Sequence, residues 1–202
     1  MSGWDEARTV EQRSMQILRP FIQQRAFNGQ YVVTSKGPLA RELQKSVGDM
    51  LYNSDSETVY SAEIKAEESN KHGNFFLETW SNRARFTLGW MFNLNTDLLL
   101  YYFLDEDELY AIPFLKLRKW AFHQCRIYDF PERKQAKYDQ LNDTWGRCVP
   151  CTTVANELGL SAPFSPRYDA MKDFSGSLEE GYAAIRAGQG AGHPNWTIGG
   201  KK

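Results

Sequence analysis

The sequence predicts an α/β fold, a mixed central β-sheet flanked by helices, and three observations predict it. Apolar residues recur at helical spacing near the N-terminus. Several short strand-like runs follow, separated by turn residues. One of those runs, Leu98 to Leu104, is apolar and aromatic without a break, as suits a strand buried on both faces. At 202 residues the chain is long enough for one domain with a real core.

The elements follow in order. Residues 5 to about 27 read as a helix, because Val10, Ser14, Ile17, Leu18, Phe21, Ile22 and Arg25 recur at its spacing. Pro20 should kink it or start a second helix, and Asn28-Gly29 ends it. Tyr31 to Thr34 is a short strand, and Leu39 to Ser46 a short helical turn. Val47 to Asn53 and Thr58 to Glu67 are strands joined by the turn Ser54-Asp55-Ser56-Glu57. Asn74 to Ser81 is another strand. Asp105 to Glu108 is a turn between Leu98–Leu104 and a strand over Leu109 to Phe114. Leu115 to about Cys125 reads as a helix with Leu115, Ala121 and Phe122 inside and Lys116, Arg118 and Lys119 largely outside. Cys148 to Leu158 adds a last strand or helix. The domain is expected over residues 1–162, and residues 163–202, where Gly, Pro and Ser accumulate, are expected as a flexible tail.

Composition narrows the function. Charged residues make up 24% and the net charge is -1, so no global attraction draws the chain to nucleic acid and any phosphate-binding surface must be a local patch. No apolar run is long enough to span a membrane, and the acidic, polar N-terminus is not a signal peptide. Three cysteines, an odd number, do not make a disulfide framework, which points to a reducing, cytoplasmic location.

Chemistry concentrates in Ser61-Ala62-Glu63-Ile64-Lys65-Ala66-Glu67. Alternate strand side chains share a face, so Glu63, Lys65 and Glu67 point the same way. Pairing Asn53 with Thr58 across the four-residue loop sets Asp49 opposite residue 62, beside Glu63; a one-residue change in the loop sets it opposite Glu63 itself. Two carboxylates and an ammonium at one spot suit a hard divalent cation with a positive charge beside it, the chemistry of phosphodiester cleavage. Lys65 would orient the attacking water or stabilise developing charge. The competing reading is a solvent-facing strand decorated with alternating charges.

Asp49, then thirteen residues, then Glu63-Ile64-Lys65, behind an acid-bearing helix, resembles the PD-(D/E)XK nuclease superfamily. The segment from Glu63 to Glu67, then Gly73-Asn74-Phe-Phe-Leu-Glu78-Thr-Trp-Ser81-Asn82, then Thr96-Asp97 ahead of Tyr101-Tyr102-Phe103, is similar to small phage and prophage members. The resemblance spans roughly residues 8 to 125. It implies a restriction-endonuclease-like αβββαβ core and magnesium-dependent hydrolysis of nucleic acid, with manganese as a substitute and DNA ahead of RNA as substrate. Asp49 and Glu63 match the metal-binding acids and Lys65 the catalytic lysine. Glu11 matches the acid of the first helix, with Glu6 and Glu42 as rivals, and Glu78 is a further candidate metal ligand. Gly48 stands where the name-giving pattern has proline. Many relatives work as dimers, so a homodimer is a further expectation, as is the host cytoplasm for a phage-encoded protein. The alternative is an inactive nuclease-fold protein that binds nucleic acid or acts on host machinery.

Asn74, Ser81, Asn82, Arg83 and Arg85 lie near the motif in sequence and are candidate backbone contacts. Lys116 and Lys119 head a basic stretch that runs to Lys137 and offers a second phosphate-binding surface, against the plainer reading of a solvated helix face. Trp80 and Trp90 are candidates for base stacking, although buried tryptophan is the plainer reading. Cys148-Val-Pro-Cys151 has redox spacing but comes too late in the element order. With Cys125 and His123 it would make a zinc site, and buried free thiols are the simpler account.

Overall fold

The computed structural model describes residues 3–25, 31–33, 48–53, 59–135 and 143–169. Two β-sheets and flanking helices make up a mixed α/β architecture. The first sheet has five strands in the order β1 (Tyr31–Val33), β2 (Met50–Asn53), β3 (Val59–Glu67), β6 (Leu98–Phe103) and β7 (Glu108–Pro113). It is mixed, because β3 and β6 run parallel while the other pairs are antiparallel. The second sheet is antiparallel, in the order β5 (Thr87–Leu88), β4 (Asn74–Asn82), β9 (Trp145–Pro150) and β8 (Glu132–Lys134). The strand expected at Asn74 therefore lies in this separate sheet, which packs on the central one.

The apolar run in β6 is explained by what covers it. Leu98, Leu100, Tyr102 and Leu104 enter one core, and Leu99, Tyr101 and Phe103 enter another. Helix α1 (Gly3–Arg25) closes the first core with Leu18, Phe21 and Ile22, which pack with Met50 and Ala62. These residues form the i, i+3, i+4 stripe that the periodicity predicts. The helix runs through Pro20, which interrupts only one backbone hydrogen bond in a segment anchored on both sides by buried side chains.

The second core lies between the sheets. Phe75 and Leu77 of β4 and Val149 of β9 meet Leu99, Tyr101, Phe103 and Ile112. Phe75 sits edge-on to Tyr101, with ring centroids 4.9 Å apart. Helices α2 (Trp90–Asn93), α3 (Phe114–Phe122) and α4 (Cys151–Leu158) extend this core with Met91, Leu117, Ala121, Val154 and Leu158. The helix expected to Cys125 stops at Phe122, and a 3₁₀ segment over His123–Asp129 follows. Gln124 and Cys125 there have φ of 50° and 59°, which breaks the α-helical ladder. Cys148 to Leu158 is both strand and helix, changing at Pro150, which ends a ladder and starts a helix without difficulty.

The segment from residue 163 begins attached to the domain. Phe164 bridges to Leu109 and packs near Phe21, and Arg167 N–H bonds to the Asp107 carboxylate. A short helix, α5 (Pro166–Asp169), follows. Residues 170–202 and the turn expected over 39–46 lie outside the described residues. Among the described residues no helix is long and apolar enough to cross a membrane.

Candidate active site

Strand β3 places the site. It pairs in parallel with β6, Glu63 opposite Leu99, Lys65 opposite Tyr101 and Glu67 opposite Phe103. Paired residues share a face of the sheet, so all three charged side chains lie on the side where the second sheet packs. The solvent-facing reading of this strand does not hold: Glu63 is only 9% exposed.

Asp49 reaches Glu63 through a compensated register. The ladder pairs Asn53 with Val59, one residue off the expected Thr58, and continues to Met50 opposite Ala62. At that point Asp49 N–H also donates to the Ala62 carbonyl, at 2.9 Å. Both Asp49 and Met50 therefore address Ala62, which restores the expected position of Asp49. Gly48 makes the irregularity: its φ is +79°, and a Cβ there would lie 2.8 Å from the Ala62 oxygen. Proline, with φ locked near −65°, is excluded at this position. Glycine at position 48 thus has a local cause. Asp49 Oδ2 then accepts the Ile64 N–H at 2.9 Å, which fixes the carboxylate against the middle of β3.

Electrostatics tie the group together. Burial raises the Glu63 carboxyl above its ordinary value; Lys65 opposes this, and the charges of Asp49 and Glu11 reinforce it. Lys65 Nζ donates to Glu63 Oε1. Burial pulls the Lys65 ammonium down, but Glu63, Asp49 and Glu78 outweigh it and the net shift is upward. Lys65 is therefore a fixed cation and not a base at neutral pH. Glu11, exposed on α1, and Glu78, on β4, come near enough for their charges to act on this pair. Glu78 Oε1 also accepts the Trp90 N–H at 3.3 Å. The Glu6 side chain and all of Glu42 lie outside the described residues.

The donor set fits a hard divalent cation. A carboxylate raised first by burial and then by its acidic neighbours, and opposed by one ammonium, is an environment that bound positive charge relieves. Among the described residues, no three His, Cys, Asp or Glu side chains form a compact ligand group. Asp49 and Glu63 are a pair, and magnesium bound through one or two carboxylates keeps water and substrate phosphate as its other ligands.

The expected nucleic-acid contacts scatter. Asn74 opens β4 while Ser81 and Asn82 close it, a strand length away. Ser81 Oγ and Asn82 Oδ1 are used within their own turn, bonding the Thr87 carbonyl and the Arg85 N–H. Arg83 pairs with Glu132 at 2.9 Å and lies over the Trp145 ring. Lys116 donates to the Leu158 carbonyl at the end of α4. Arg85 and Lys119 are exposed. Lys119 lines an open cavity of about 460 Å³ with Lys116, Trp120, His123, Arg126 and Glu157. This cavity shares no residue with the Asp49–Glu63 site, and its Arg126 is held by Asp129 and Glu157. Trp90 packs on Phe114, in line with the structural reading of that tryptophan.

Two arrangements escaped the sequence reading. Tyr101 donates its hydroxyl to Glu67 and accepts the Phe76 N–H at 3.1 Å, which links the sheets. Asp97 Oδ2 accepts both the N–H and the hydroxyl of Ser61 at 2.8 Å, clasping β3 to the start of β6 two residues from Glu63. Thr96-Asp97 is visible in the family-like pattern, but nothing in sequence spacing identifies its partner. The thiols are poor redox candidates: burial raises Cys148, and burial with the Glu108 and Glu67 charges pushes Cys151 up to about 12. Cys125 is exposed, beyond the end of α3.

No family model, curated protein or solved structure matches the chain.

Proposed function

We propose that the protein is a metal-dependent nuclease of the PD-(D/E)XK type, hydrolysing phosphodiester bonds, DNA ahead of RNA, at the Asp49–Glu63–Lys65 site. The observation that carries this reading is the burial of Glu63 beside a second acid and a lysine on a strand face turned toward the interior. Burying a carboxylate costs several kcal/mol unless it is paired; Lys65 pairs with Glu63, and Asp49 adds a second acid at the same spot.

Asp49 and Glu63 would hold magnesium, or manganese in its place, with Glu11 or Glu78 as an outer acid. The metal supplies Lewis-acid polarisation of the phosphoryl oxygen and a more acidic water. Asp49 is pre-oriented by the Ile64 N–H, so its carboxylate needs no search for position. Lys65, protonated throughout the neutral range, stabilises negative charge on the phosphate and positions the water by donating to it. Nucleic acid and magnesium meet in the cytoplasm, which is where this reading puts the protein.

The test is cleavage of plasmid, single-stranded DNA and RNA by purified protein with magnesium or manganese. Cleavage by wild type, and its loss in Asp49→Ala, Glu63→Ala and Lys65→Ala, supports the reading. Absence of cleavage of every substrate with either metal defeats it. A second reading, a non-catalytic binding protein with the same fold, draws on one observation: Lys65 occupies an oxygen of Glu63. It predicts nucleic-acid or host-protein binding that survives Glu63→Ala.

A further inference from the structure

The hairpin between β4 and β5 carries a feature the nuclease site does not use. Phe86 at its tip is 82% exposed, more than any other large apolar side chain described. Its φ is +53°, a left-handed conformation that is costly for a bulky residue. The turn is nonetheless well held. Phe86 N–H bonds to the Arg83 carbonyl at 3.1 Å, Arg85 N–H to Asn82 Oδ1 at 3.0 Å, and Asn82 pairs with Thr87. A ring held out in water by a fixed, unfavourable backbone needs an account beyond packing.

Charge says what would meet it. No acidic residue occurs between Glu78 and Asp97, and the only charges in that stretch are Arg83 and Arg85. Arg83 is committed to Glu132 and Trp145. Arg85 is exposed, and among the described residues its guanidinium pairs with no carboxylate. An aromatic ring next to an unengaged arginine, on an acid-free hairpin, complements a stacked base and its phosphate. It does not complement a second basic surface. Strand β4 also connects the tip to the site, because it carries Glu78, whose charge acts on Lys65. The four steps along the strand from Glu78 to Asn82 span about 13 Å at roughly 3.3 Å each, close to four nucleotide steps of about 3.4 Å.

We propose that the β4–β5 tip is a base-stacking wedge: Phe86 stacks on or between bases of the bound nucleic acid, and Arg85 contacts the adjoining phosphate, a few nucleotides from the bond held at Asp49 and Glu63. The inference rests on the nuclease reading and adds a second contact region to it. Glycine accepts φ +53° without penalty, so Phe86→Gly removes the ring and leaves the turn intact, and Phe86→Trp restores a stacking surface.

The experiment is fluorescence anisotropy of a labelled DNA duplex and of its single strand, in chelator to prevent cleavage, across a salt series. Phe86→Gly should bind about tenfold more weakly with an unchanged salt slope. Phe86→Trp should bind as wild type. Arg85→Ala should lower the slope by about one. If wild type binds and cuts while Phe86→Gly binds equally well, the wedge is overturned and the nuclease reading stands. If Phe86→Gly changes only the oligomeric state in sizing chromatography, the tip docks protein and the wedge is again overturned. If wild type neither binds nor cuts, both fail.

Discussion

Glu63 and Glu67 sit four residues apart on one strand face, both withdrawn from water, and burial raises both carboxyls above the ordinary 4.5. Their partners differ. Glu67 meets a phenol, Tyr101, whose own acidity burial and Glu67 suppress well beyond the usual range. Glu63 meets an ammonium and stands within reach of three further acids: Asp49 and Glu11 act on it directly, and Glu78 acts on its lysine. The first arrangement is closed and joins two sheets through the Phe76 N–H. The second gathers acids around one lysine among the described residues. Burial is common to both carboxylates, so the acids gathered around Glu63 are what sets it apart.

The largest expected effect separates the two outright. Asp49→Ala or Glu63→Ala should reduce metal-dependent cleavage at least about 10²- to 10³-fold, the scale for losing an electrostatic contact made to the transition state. Glu67→Gln should leave the rate per folded molecule within a factor of a few. Initial rates on one substrate, normalised to folded protein, measure both. A rate loss in Glu67→Gln equal to that in Glu63→Ala would erase the contrast.

Gly48→Ala comes next. It forces a side chain into φ +79° and against the Ala62 carbonyl, and should cost about 3 kcal/mol in urea unfolding. It should also slow cleavage in the surviving folded fraction, because Asp49 follows directly. Tyr101→Phe acts on the other carboxylate. It leaves Glu67 and the Phe76 N–H short of a partner and should cost about 1–2 kcal/mol, with cleavage per folded molecule unchanged.

The smallest effect is a pH dependence. A carboxyl raised by folding holds its proton more tightly in the native chain. The stability it contributes is complete below about 4.5 and is lost as pH rises through the folded value. Glu67→Gln cannot lose a proton, so its stability relative to wild type should rise between acid and neutral pH. Urea midpoints at both ends of that range give the sign.

The two β3 carboxylates also show what a sequence reveals and where it stops. Alternation placed Glu63, Lys65 and Glu67 on one face, and the hairpin count brought Asp49 beside Glu63, because strand geometry is local and periodic. The apolar run at Leu98–Leu104 announced a doubly covered strand for the same reason. That Asn74–Asn82 belongs to a second sheet, and that this sheet turns the charged face inward, depends on contacts between β4 and β9 from distant parts of the chain. The Tyr101–Glu67 and Ser61–Asp97 pairs are likewise long-range, separated by 34 and 36 residues. The charge of Lys116 is visible in the sequence, while the Leu158 carbonyl that receives its ammonium is not.

Manganese binding, followed by the loss of the free-ion paramagnetic resonance signal, tests the central contrast most directly. Wild type and Glu67→Gln should bind the ion alike, and Asp49→Asn and Glu63→Gln should lose at least about tenfold in affinity. Equal binding by all four proteins, or none by the wild type, would contradict the assignment of Asp49 and Glu63 as a cation site.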